Sequence, residues 1–508
     1  MQRSLLHTLK ALHFITPHGV VRWVRCFANE GITLMAMLKF SATYYPERCA
    51  LVSDTLRLNY RQLYQYARQL AHLLYTDYGL RKGDVAGVLC RNHAISLLLL
   101  PAMSRLGVHV RLLNTDLGVQ QVEGLVREGK YKLLVFDEEI QEKCVSACLP
   151  CQTISAETLF NQVFAEHKDS DNDLPRIFQG PEITVMTGGT SGKYTEASRR
   201  PSVTQFLCPF FALLKDIGIG EYESVCLALP FYHGFGLTTL IVSLLMGKKI
   251  CLMRHFEADQ ALEIIHDEKV EVFPIVPVLL ARIWQQDDAR EKLKSLRCII
   301  SGGDRLDRNL IEETQRQLGN VLYNLYGTSE AGFVMLATPE DLSRHEETTL
   351  GKPIHGVKCA VRDKDKDGIG TLWICSRWAM TGQSNRWQNT GDRVWCDAEG
   401  YYFHRGRADQ LIVCGGENAY PDNVMRALSL HPDVVTSHVH AVPDHEFGNV
   451  LNARIELRKD ASLTSDEIIE WLRPRITRAE MPHKITFGPI ETLSSGKQSF
   501  SYHELEPK

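Results

Sequence analysis

The chain has 508 residues, enough for roughly two to four structural domains. Apolar residues make up 44% and charged residues 23% of the chain, which is the balance of a folded globular protein and argues against a disordered one. The formal net charge of −4 and the scattered placement of basic residues argue against a nucleic-acid partner.

Leucines near the N-terminus recur at helical spacing, at Leu5, Leu6, Leu9 and Leu12. This pattern predicts a helix packed on the body of the protein, with a helix lying on a membrane surface as the alternative. Lys10 interrupts any stretch long enough for a signal peptide, and no window reaches the roughly 20 apolar residues that cross a bilayer. The 14 cysteines show no repeating spacing and fit a reducing compartment. We therefore expect a cytoplasmic protein whose membrane contact is at most peripheral.

Helix and strand patterns alternate from about residue 44 onward. One helix face is marked by Leu63, Ala67, Leu70 and Leu74. Short apolar runs typical of buried parallel strands are Val85–Leu89, Leu133–Phe136, Val225–Leu229 and Cys298–Ile300. This alternation predicts an α/β fold, with a large N-terminal domain of layered sheets and helices.

Two further features precede the middle of the chain. Cys144, Cys148 and Cys151 form the nearest approach to a cysteine cluster, for which ordinary thiols are favoured over a zinc site because no suitably spaced ligands follow. The acidic, polar stretch between His167 and Pro175 predicts a surface linker between two α/β halves.

A strand-like run, Ile183–Met186, leads into a loop of small and hydroxyl residues. The loop consists of Thr187, Gly188, Gly189, Thr190, Ser191, Gly192 and Lys193. Small residues let several backbone N–H groups converge on an anion, and the hydroxyls and the lysine add donors and charge, which suits a triphosphate. The order and spacing differ from the Walker pattern, and taken alone the loop is equally compatible with an ordinary connection. The apolar segment Leu237–Leu245 is predicted to be mostly a buried core helix.

The second motif is Tyr326, Gly327, Thr328, Ser329 and Glu330. The glycine permits a tight turn beside an aromatic face, the threonine hydroxyl can reach a phosphate oxygen, and the glutamate can hold Mg²⁺. A polar turn that enters a helix would explain the same residues.

Short strands with glycine-rich turns characterise residues 351–403 and predict a small β-rich unit. Thr390–Asp392 supplies a carboxylate suited to ribose hydroxyls. After a hairpin-like stretch, Gly406–Asp409 supplies a guanidinium suited to a phosphate or ribose oxygen. Each motif alone is unremarkable, because an isolated aspartate in a turn usually serves the turn.

A small α+β domain is predicted after Asp409. Its elements are a helix over Pro421–Leu430, strands over Val435–Val442 and Ala453–Leu457, and a helix whose capping box is Thr464 and Glu467. The final motif is Ser494–Lys497, in which the lysine alone would be interpreted as a solvated side chain.

The order and spacing of these segments resemble the adenylate-forming superfamily of acyl-CoA synthetases, non-ribosomal peptide synthetase adenylation domains and luciferases. The resemblance extends from about Tyr45 to Lys497. Further matching segments are Tyr45–Val52, Leu58–Leu63, Gly83–Val85, Pro230–Gly236, Ser301–Asp304, Gly351–Pro353 and Gly415–Pro421.

The resemblance implies an AMP-binding domain over residues 1–408 and a small mobile C-terminal domain over residues 409–508, with the active site between them. It implies ATP-dependent activation of a carboxylic acid to its acyl-adenylate with release of pyrophosphate. The acyl group would then pass to the thiol of coenzyme A. ATP, Mg²⁺ and coenzyme A would be the cofactors of this acid–thiol ligase.

The resemblance also implies roles for the phosphate-side residues. The loop Thr187–Lys193 would wrap the β- and γ-phosphates. Thr328 would contact the α-phosphate and Glu330 the magnesium. Lys497 would move in to bridge the substrate carboxylate and the α-phosphate.

On the nucleoside side, the resemblance places Tyr326 in a stack on adenine, near Gly302 and Gly303. Asp392 would bind the ribose hydroxyls, with Arg407 beside it.

For the acid and the thiol, His233 would line the acyl pocket, and Gly415 and Gly416 would face the thiol donor. Asp409 would be the hinge about which the C-terminal domain rotates between the two half-reactions.

Two departures from the family pattern stand out. Tyr194–Thr195 follows Lys193 where the family usually has Pro-Lys, which puts the catalytic rate in doubt. Gln498–Ser501 lacks a basic residue that often follows the terminal lysine, which matters little.

The acid and the acceptor are less closely defined. No acidic anchor for an amino group is evident, so we expect a fatty or an aryl acid. A discrete acyl carrier protein as acceptor, or a reaction that stops at the acyl-adenylate, is the alternative to coenzyme A. A catalytically impaired relative that binds nucleotide or acyl ligand is a further alternative.

Overall fold

A computed structural model describes residues 9–10, 12–145, 149–165, 174–188, 194–199, 206–408, 412–414, 417–444, 448–459 and 461–490. Contacts divide the chain into two units. The first is Met1–Pro274 with Arg377–Ser384, and the second is Ile275–Ser376 with Asn385–Lys508. The predicted α/β class is confirmed.

The first unit alternates helices with short strands. Its helices are α1 (Pro17–Glu30), α2 (Leu34–Tyr44), α3 (Tyr60–Thr76), α4 (Ala94–Leu106), α5 (Val119–Glu128), α6 (Glu142–Val145), α7 (Ala156–Ala165), α8 (Leu207–Ala212), α9 (Gly234–Leu245) and α10 (Ala258–Asp267). Its strands are β1 (Cys49–Val52), β2 (Arg57–Asn59), β3 (Val85–Leu89), β4 (His109–Leu112), β5 (Leu133–Phe136), β6 (Gln152–Ser155), β7 (Ile183–Gly188), β8 (Tyr194–Arg199), β9 (Ser224–Leu227), β10 (Lys249–Leu252) and β11 (Val272–Ile275).

One sheet of this unit has the strand order β6-β5-β3-β4-β7-β8. Its strands run parallel up to β7, and β8 then returns antiparallel. β3 and β5 match the predicted runs residue for residue, since both are almost wholly buried apolar segments. The expected linker over residues 167–175 lies mostly outside the described residues. The strands that follow it join the same sheet as β4, so the prediction that it separates two halves is wrong.

The other strands of the first unit are arranged in the order β11-β9-β10-β1-β2, with β9, β10 and β1 parallel and β2 antiparallel. The predicted face of α3 is confirmed, because Leu63, Ala67, Leu70 and Leu74 are all fully buried. The prediction for α9 is only half right. Leu240 and Leu244 are buried, whereas the other apolar residues of Leu237–Leu245 are partly exposed.

A buried ion pair anchors α1 to the first unit. Glu30 Oε2 lies 2.8 Å from Arg105 Nε, and its other oxygen accepts from Lys39 Nζ at 2.9 Å and from the Tyr64 hydroxyl at 2.7 Å. Arg105 also donates to the carbonyl oxygen of Pro175 at 2.8 Å. Burial alone would raise the pKa of Glu30, but these hydrogen bonds and positive charges lower it below its usual value.

We expect Glu30→Ala to destabilise the first unit by about 3 kcal/mol, because Arg105 would be left buried without its counter-charge. The midpoint of denaturant unfolding measures the change, with the exposed Glu47→Ala as control. A lowered folded-state pKa contributes stability above the unfolded pKa of about 4.3 and loses it as the pH falls. The difference in unfolding free energy between Glu30→Ala and the wild type should therefore become smaller at acid pH. A constant difference down to acid pH would contradict the charge-based explanation.

The second unit contains α11 (Pro277–Ile283), α12 (Ala289–Lys292), α13 (Arg308–Leu318), α14 (Pro339–Arg344), α15 (Pro421–Ser429) and α16 (Ser465–Leu472). Its strands are β12 (Cys298–Gly302), β13 (Leu322–Thr328), β14 (Gly332–Ala337), β15 (Lys352–Pro353), β16 (Lys358–Arg362), β17 (Gly370–Cys375), β18 (Gln388–Cys396), β19 (Tyr402–Arg407), β20 (Ile412–Cys414), β21 (Glu417–Ala419), β22 (Val434–Asp444), β23 (Gly448–Leu457) and β24 (Lys484–Phe487).

Three sheets organise most of these strands. β12 pairs with β13 in parallel, β13 pairs with β14 antiparallel, and β14 pairs with β15 antiparallel. β16 to β19 form an antiparallel four-stranded sheet in chain order, within the stretch expected to be β-rich. β22, β23 and β24 form a third sheet, against which α15 and α16 share a core. The capping box of α16 is confirmed, since Thr464 and Glu467 bond each other's backbone N–H groups.

No described helix is both long and apolar enough to cross a membrane. Every cysteine that the structure describes is a free thiol. In the predicted cluster, burial raises the pKa of Cys144 to about 11 and also raises that of Cys151, so both remain protonated near neutral pH. Cys148 lies outside the described residues.

Candidate functional site

The predicted phosphate loop connects two paired strands of the first unit. β7 and β8 form an antiparallel ladder in which Thr187 faces Thr195 and Gly188 faces Tyr194. The predicted strand thus runs on to Gly188, where the described ladder ends. Residues 189–193, namely Gly189, Thr190, Ser191, Gly192 and Lys193, lie outside the described part of the chain.

His233 occupies a tight turn at the start of α9 in the same unit. Its backbone N–H donates to the carbonyl oxygen of Pro230 at 3.2 Å, and its ring lies edge-on to Tyr232 at 4.8 Å. The side chain of Asn92 stabilises this turn with two hydrogen bonds. Its Oδ1 accepts from Phe231 N at 3.1 Å, and its Nδ2 donates to the carbonyl oxygen of Leu229. Sequence reasoning missed Asn92, because its contact is made 139 residues away along the chain.

In the second unit, the carboxyl ends of two parallel strands bring Gly302, Gly303 and Tyr326 together. Gly302 is paired with Leu325 across β12 and β13, so Gly303 leaves its strand next to Tyr326. Gly303 has a φ of +86° and is exposed, which suits a turn that leaves room above the strand ends. Ligands of parallel sheets characteristically bind outside such carboxyl ends.

A tight hairpin carries Thr328 and Glu330. β13 turns directly into β14, and a bulge between Tyr326 and Gly327 shifts the register of the pair. The Thr328 hydroxyl accepts a hydrogen bond from Ala331 N at 3.0 Å, which stabilises the turn. Glu330 is partly exposed within this turn. The turn is therefore a strand-to-strand connection, and the alternative of a helix entry is wrong.

Gly327 allows this close hairpin. A Cβ atom at this position would lie 2.4 Å from the carbonyl oxygen of Gly332 on the facing strand. We expect Gly327→Ala to separate the strands and displace the turn that carries Glu330. A lower melting midpoint should result. With the magnesium role that the family resemblance implies for Glu330, a higher Mg²⁺ concentration for half-maximal activity should follow as well.

Gly124→Ala on α5 is the matched control, because a Cβ atom there meets nothing within 4 Å. That control should be neutral or slightly stabilising. A Gly327→Ala protein with the wild-type magnesium dependence would contradict the proposed link between the hairpin and Glu330.

Asp392 is the buried centre of a polar cluster that β13, β18 and β19 form. Tyr326 donates its hydroxyl to Asp392 Oδ2 at 2.5 Å, and Arg407 Nη1 lies 3.4 Å from Oδ1. Asp392 and Arg407 are also cross-strand partners in the sheet. Gly391, with a φ of +77°, makes room for the guanidinium, because a Cβ atom there would lie 2.9 Å from Arg407 Nη2. The structure thus brings together the predicted Tyr326, Asp392 and Arg407.

The Tyr326 phenol stays protonated in this cluster. Burial first, and then the negative charge of Asp392, raise its pKa well above the usual value. The phenol is therefore a permanent donor to the carboxylate, and it fixes the orientation of both groups.

His404 is a further member of the cluster that sequence reasoning missed. Its Nε2 lies 3.6 Å from Asp392 Oδ1. The sequence shows that His404 and Arg407 lie close together on β19. Only the pairing of β18 with β19 shows that both side chains lie beside the Asp392 carboxylate.

The remaining predicted residues lie outside the described part of the chain. They are Asp409, Gly415, Gly416 and Lys497. Their roles remain predictions.

A group of metal-ligand types, Cys90, His93 and Asp137, lies in the first unit at the carboxyl ends of β3 and β5. Their ligand atoms lie within 4.8 Å of one another. His93 Nε2 is only 2.7 Å from Asp137 Oδ1, which is shorter than the roughly 3.3 Å that separates two ligands of a tetrahedral zinc ion. Asp137 also accepts from Arg91 N at 2.8 Å and faces the Arg254 guanidinium at 3.5 Å. We interpret this group as a hydrogen-bonded charge network.

Residues 38–382 match the sequence model of the AMP-binding enzyme family, and residues 426–497 match that of the AMP-binding enzyme C-terminal domain. The 2-succinylbenzoate–CoA ligase of Bacillus licheniformis is 26% identical over 466 residues, which are 89% of this chain and 95% of that protein. The 2-succinylbenzoate–CoA ligase of Bacillus subtilis is 26% identical over 457 residues, which are 86% of this chain and 91% of that protein.

Solved structures show the same fold. The anthranilate CoA ligase AuaEII in complex with anthranoyl-AMP has a TM-score of 0.80 at 20% identity, covering 92% of this chain and 95% of that one. The o-succinylbenzoate CoA synthetase of Bacillus subtilis in complex with its acyl-adenylate intermediate has a TM-score of 0.74 at 24% identity, covering 91% of this chain and 96% of that one.

Proposed function

The chain belongs to the AMP-binding enzyme family, and on this basis we propose that it is an AMP-forming acid–thiol ligase that converts an aryl carboxylic acid to its coenzyme A thioester. The proposal that the protein binds ATP is supported by the cluster of Tyr326, Asp392 and Arg407. This cluster lies beside the glycine turn Gly302–Gly303. The AMP-binding enzyme model matches residues 38–382, and the model of its C-terminal domain matches residues 426–497, which supports this proposal.

These residues fit the nucleoside of ATP. Asp392 is 7% exposed and is held by two donors, so its carboxylate is oriented before a ribose arrives. A fixed carboxylate is a good acceptor for a pair of vicinal hydroxyls, and the Arg407 guanidinium adds a donor for ribose or phosphate oxygen. Gly303 offers an exposed surface without a side chain, against which a purine ring can lie beside Tyr326.

In the first half-reaction, a carboxylate oxygen of the acid attacks the α-phosphorus of ATP, and the bond to pyrophosphate breaks. Both reactants are negatively charged, so the barrier falls when fixed positive groups lie around them. We assign this task to Lys497 and the loop Thr187–Lys193, with Thr328 donating to the α-phosphate. Mg²⁺, when bound through Glu330, supplies further neutralisation of the phosphate charge.

In the second half-reaction, the thiolate of coenzyme A attacks the acyl carbonyl carbon, and AMP leaves. We propose that the domain over residues 409–508 rotates about Asp409 between the two steps. That movement would withdraw Lys497 and bring Gly415 and Gly416 to the thiol. One site would then serve both reactions in turn.

An aryl acid is favoured over a fatty acid by the relatives. The similar proteins act on 2-succinylbenzoate, and the similar solved structure holds anthranoyl-AMP. We therefore propose an aryl acid in place of the fatty-acid alternative. The same relatives are coenzyme A ligases, which favours coenzyme A over an acyl carrier protein as acceptor.

Acid-dependent exchange of labelled pyrophosphate into ATP tests the proposal. We expect exchange with aryl acids, especially those with a second carboxylate or an ortho substituent, and little with fatty or amino acids. Thioester formation should then require coenzyme A, while a purified acyl carrier protein should not replace it. Exchange with no acid in the panel would favour the impaired-relative alternative and overturn the proposal.

A further inference from the structure

Helix α1 is apolar on two faces, of which one packs against other described residues of the first unit and the other is exposed. Trp23, Cys26 and Phe27 form the inner face, where Trp23 stacks on Phe40 with a centroid separation of 4.0 Å. The Glu30–Arg105 ion pair holds the C-terminal end of the helix. An ordinary surface helix would present polar residues on its other side.

The outer face carries an exposed aliphatic stripe instead. Val20, Val21 and Val24 are 49%, 50% and 63% exposed. Together with Pro17 they recur at positions that share one side of a helix. Ile15, just before the helix, is 42% exposed and extends the stripe.

A further exposed apolar side chain lies near the C-terminal end of α1. Phe178 is 83% exposed, and its backbone carbonyl oxygen accepts from Ile32 N at 3.2 Å, two residues beyond the helix. Most of the large hydrophobic side chains that the described part of the first unit exposes are therefore gathered on or beside α1. A group of exposed apolar side chains of this kind is a candidate interaction surface.

The charges beside the stripe are positive. His18, Arg22 and Arg25 on α1 are all exposed. Glu30 is the only acidic residue between positions 9 and 30, and it is buried in its ion pair. A helix with aliphatic residues on one face and basic residues at its flank complements an anionic lipid surface, where apolar side chains enter the interface and the cations meet lipid headgroups.

We propose that α1 docks the protein onto anionic lipid bilayers, with Val20, Val21 and Val24 entering the interface and Arg25 contacting the headgroups. The surface is separate from the shared machinery of the family, because the family model matches only from residue 38. The contact is peripheral and depends on both apolar burial and charge, so high salt weakens it.

Vesicle sedimentation of the full-length protein tests this proposal. Wild type should bind vesicles of equal parts phosphatidylcholine and phosphatidylglycerol, and bind much less to phosphatidylcholine alone. The double variant Val21→Ser/Val24→Ser should lose roughly tenfold or more of its partitioning, from the transfer free energy of the two valines. Arg25→Glu should reduce binding to anionic vesicles several-fold.

Leu430→Ser is the matched control, because Leu430 is an aliphatic residue 45% exposed at the end of a different helix, and its substitution should leave binding unchanged. Equal melting midpoints and equal pyrophosphate exchange in the absence of vesicles show that the variants are folded. Wild type that fails to bind anionic vesicles, or α1 variants that bind like wild type, would overturn the proposal. So would self-association by light scattering that the valine substitutions abolish, since a second copy would then be the occupant.

Discussion

Replacing Lys497 with alanine is expected to lower acid-dependent pyrophosphate exchange by roughly a hundredfold or more while largely sparing thioester formation from supplied acyl-adenylate. The proposed role of Lys497 is to neutralise the carboxylate and the α-phosphate as they approach. The repulsion between a carboxylate and a phosphate at the reacting atoms belongs to the first half-reaction. In the second, the thiolate attacks an uncharged acyl carbonyl carbon and displaces AMP, a good leaving group. The loss should therefore be selective.

The two half-reactions need separate assays. Isotope exchange reports adenylate formation, and release of AMP from synthetic acyl-adenylate in the presence of coenzyme A reports the second step. Lys484→Ala is a suitable control, because Lys484 is an exposed lysine on β24 of the same small domain. An equal loss of both half-reactions in Lys497→Ala would contradict the assigned role.

Replacing Asp392 with asparagine is expected to raise the KM for ATP by about ten- to a hundredfold, with a smaller effect on the turnover of saturated enzyme. The substitution keeps the shape but removes the charge that Arg407 faces. It also replaces one of the two acceptor oxygens available to ribose by a donor. Because Asp392 is buried, the loss of a charge-assisted contact there is worth roughly 1.5–3 kcal/mol.

Tyr326→Phe separates ribose binding from the integrity of the cluster. It removes the hydroxyl that donates to Asp392 but keeps the aromatic ring, so we expect a rise of only a few-fold in the KM for ATP. Initial rates at varied ATP, together with melting midpoints, distinguish a binding defect from a folding defect. An unchanged KM in a stably folded Asp392→Asn protein would show that this carboxylate does not contact the nucleotide.

Some of the fold could be predicted because the information is local. β3 and β5 are short continuous apolar runs, which are typical of buried parallel strands, and their bounds agree with the structure. The capping box of α16 was equally predictable, since both partners lie within one helical turn. β22 and β23 proved longer than predicted, because their ladder continues through residues without a strong strand preference of their own.

Other features could not be predicted, because they depend on which distant parts of the chain pack against a helix and which of its faces they leave exposed. The partial exposure of α9 is one example, since its apolar pattern alone is that of a core helix. The exposed valines of α1 are another, because a stripe of apolar residues predicts burial unless the structure leaves it without a partner.

The sequence alone determined the family-level chemistry of this protein. The order and spacing of its motifs resemble one superfamily, and both family models match. The phosphate, ribose and metal roles of single residues remain predictions from that resemblance. Only the tertiary structure decided that Tyr326, His404 and Arg407 gather around the buried Asp392 and that Asn92 holds the turn of His233. The physical reason is that hydrogen bonds and burial depend on distance in space, which strand pairing sets and which separation along the chain does not reveal.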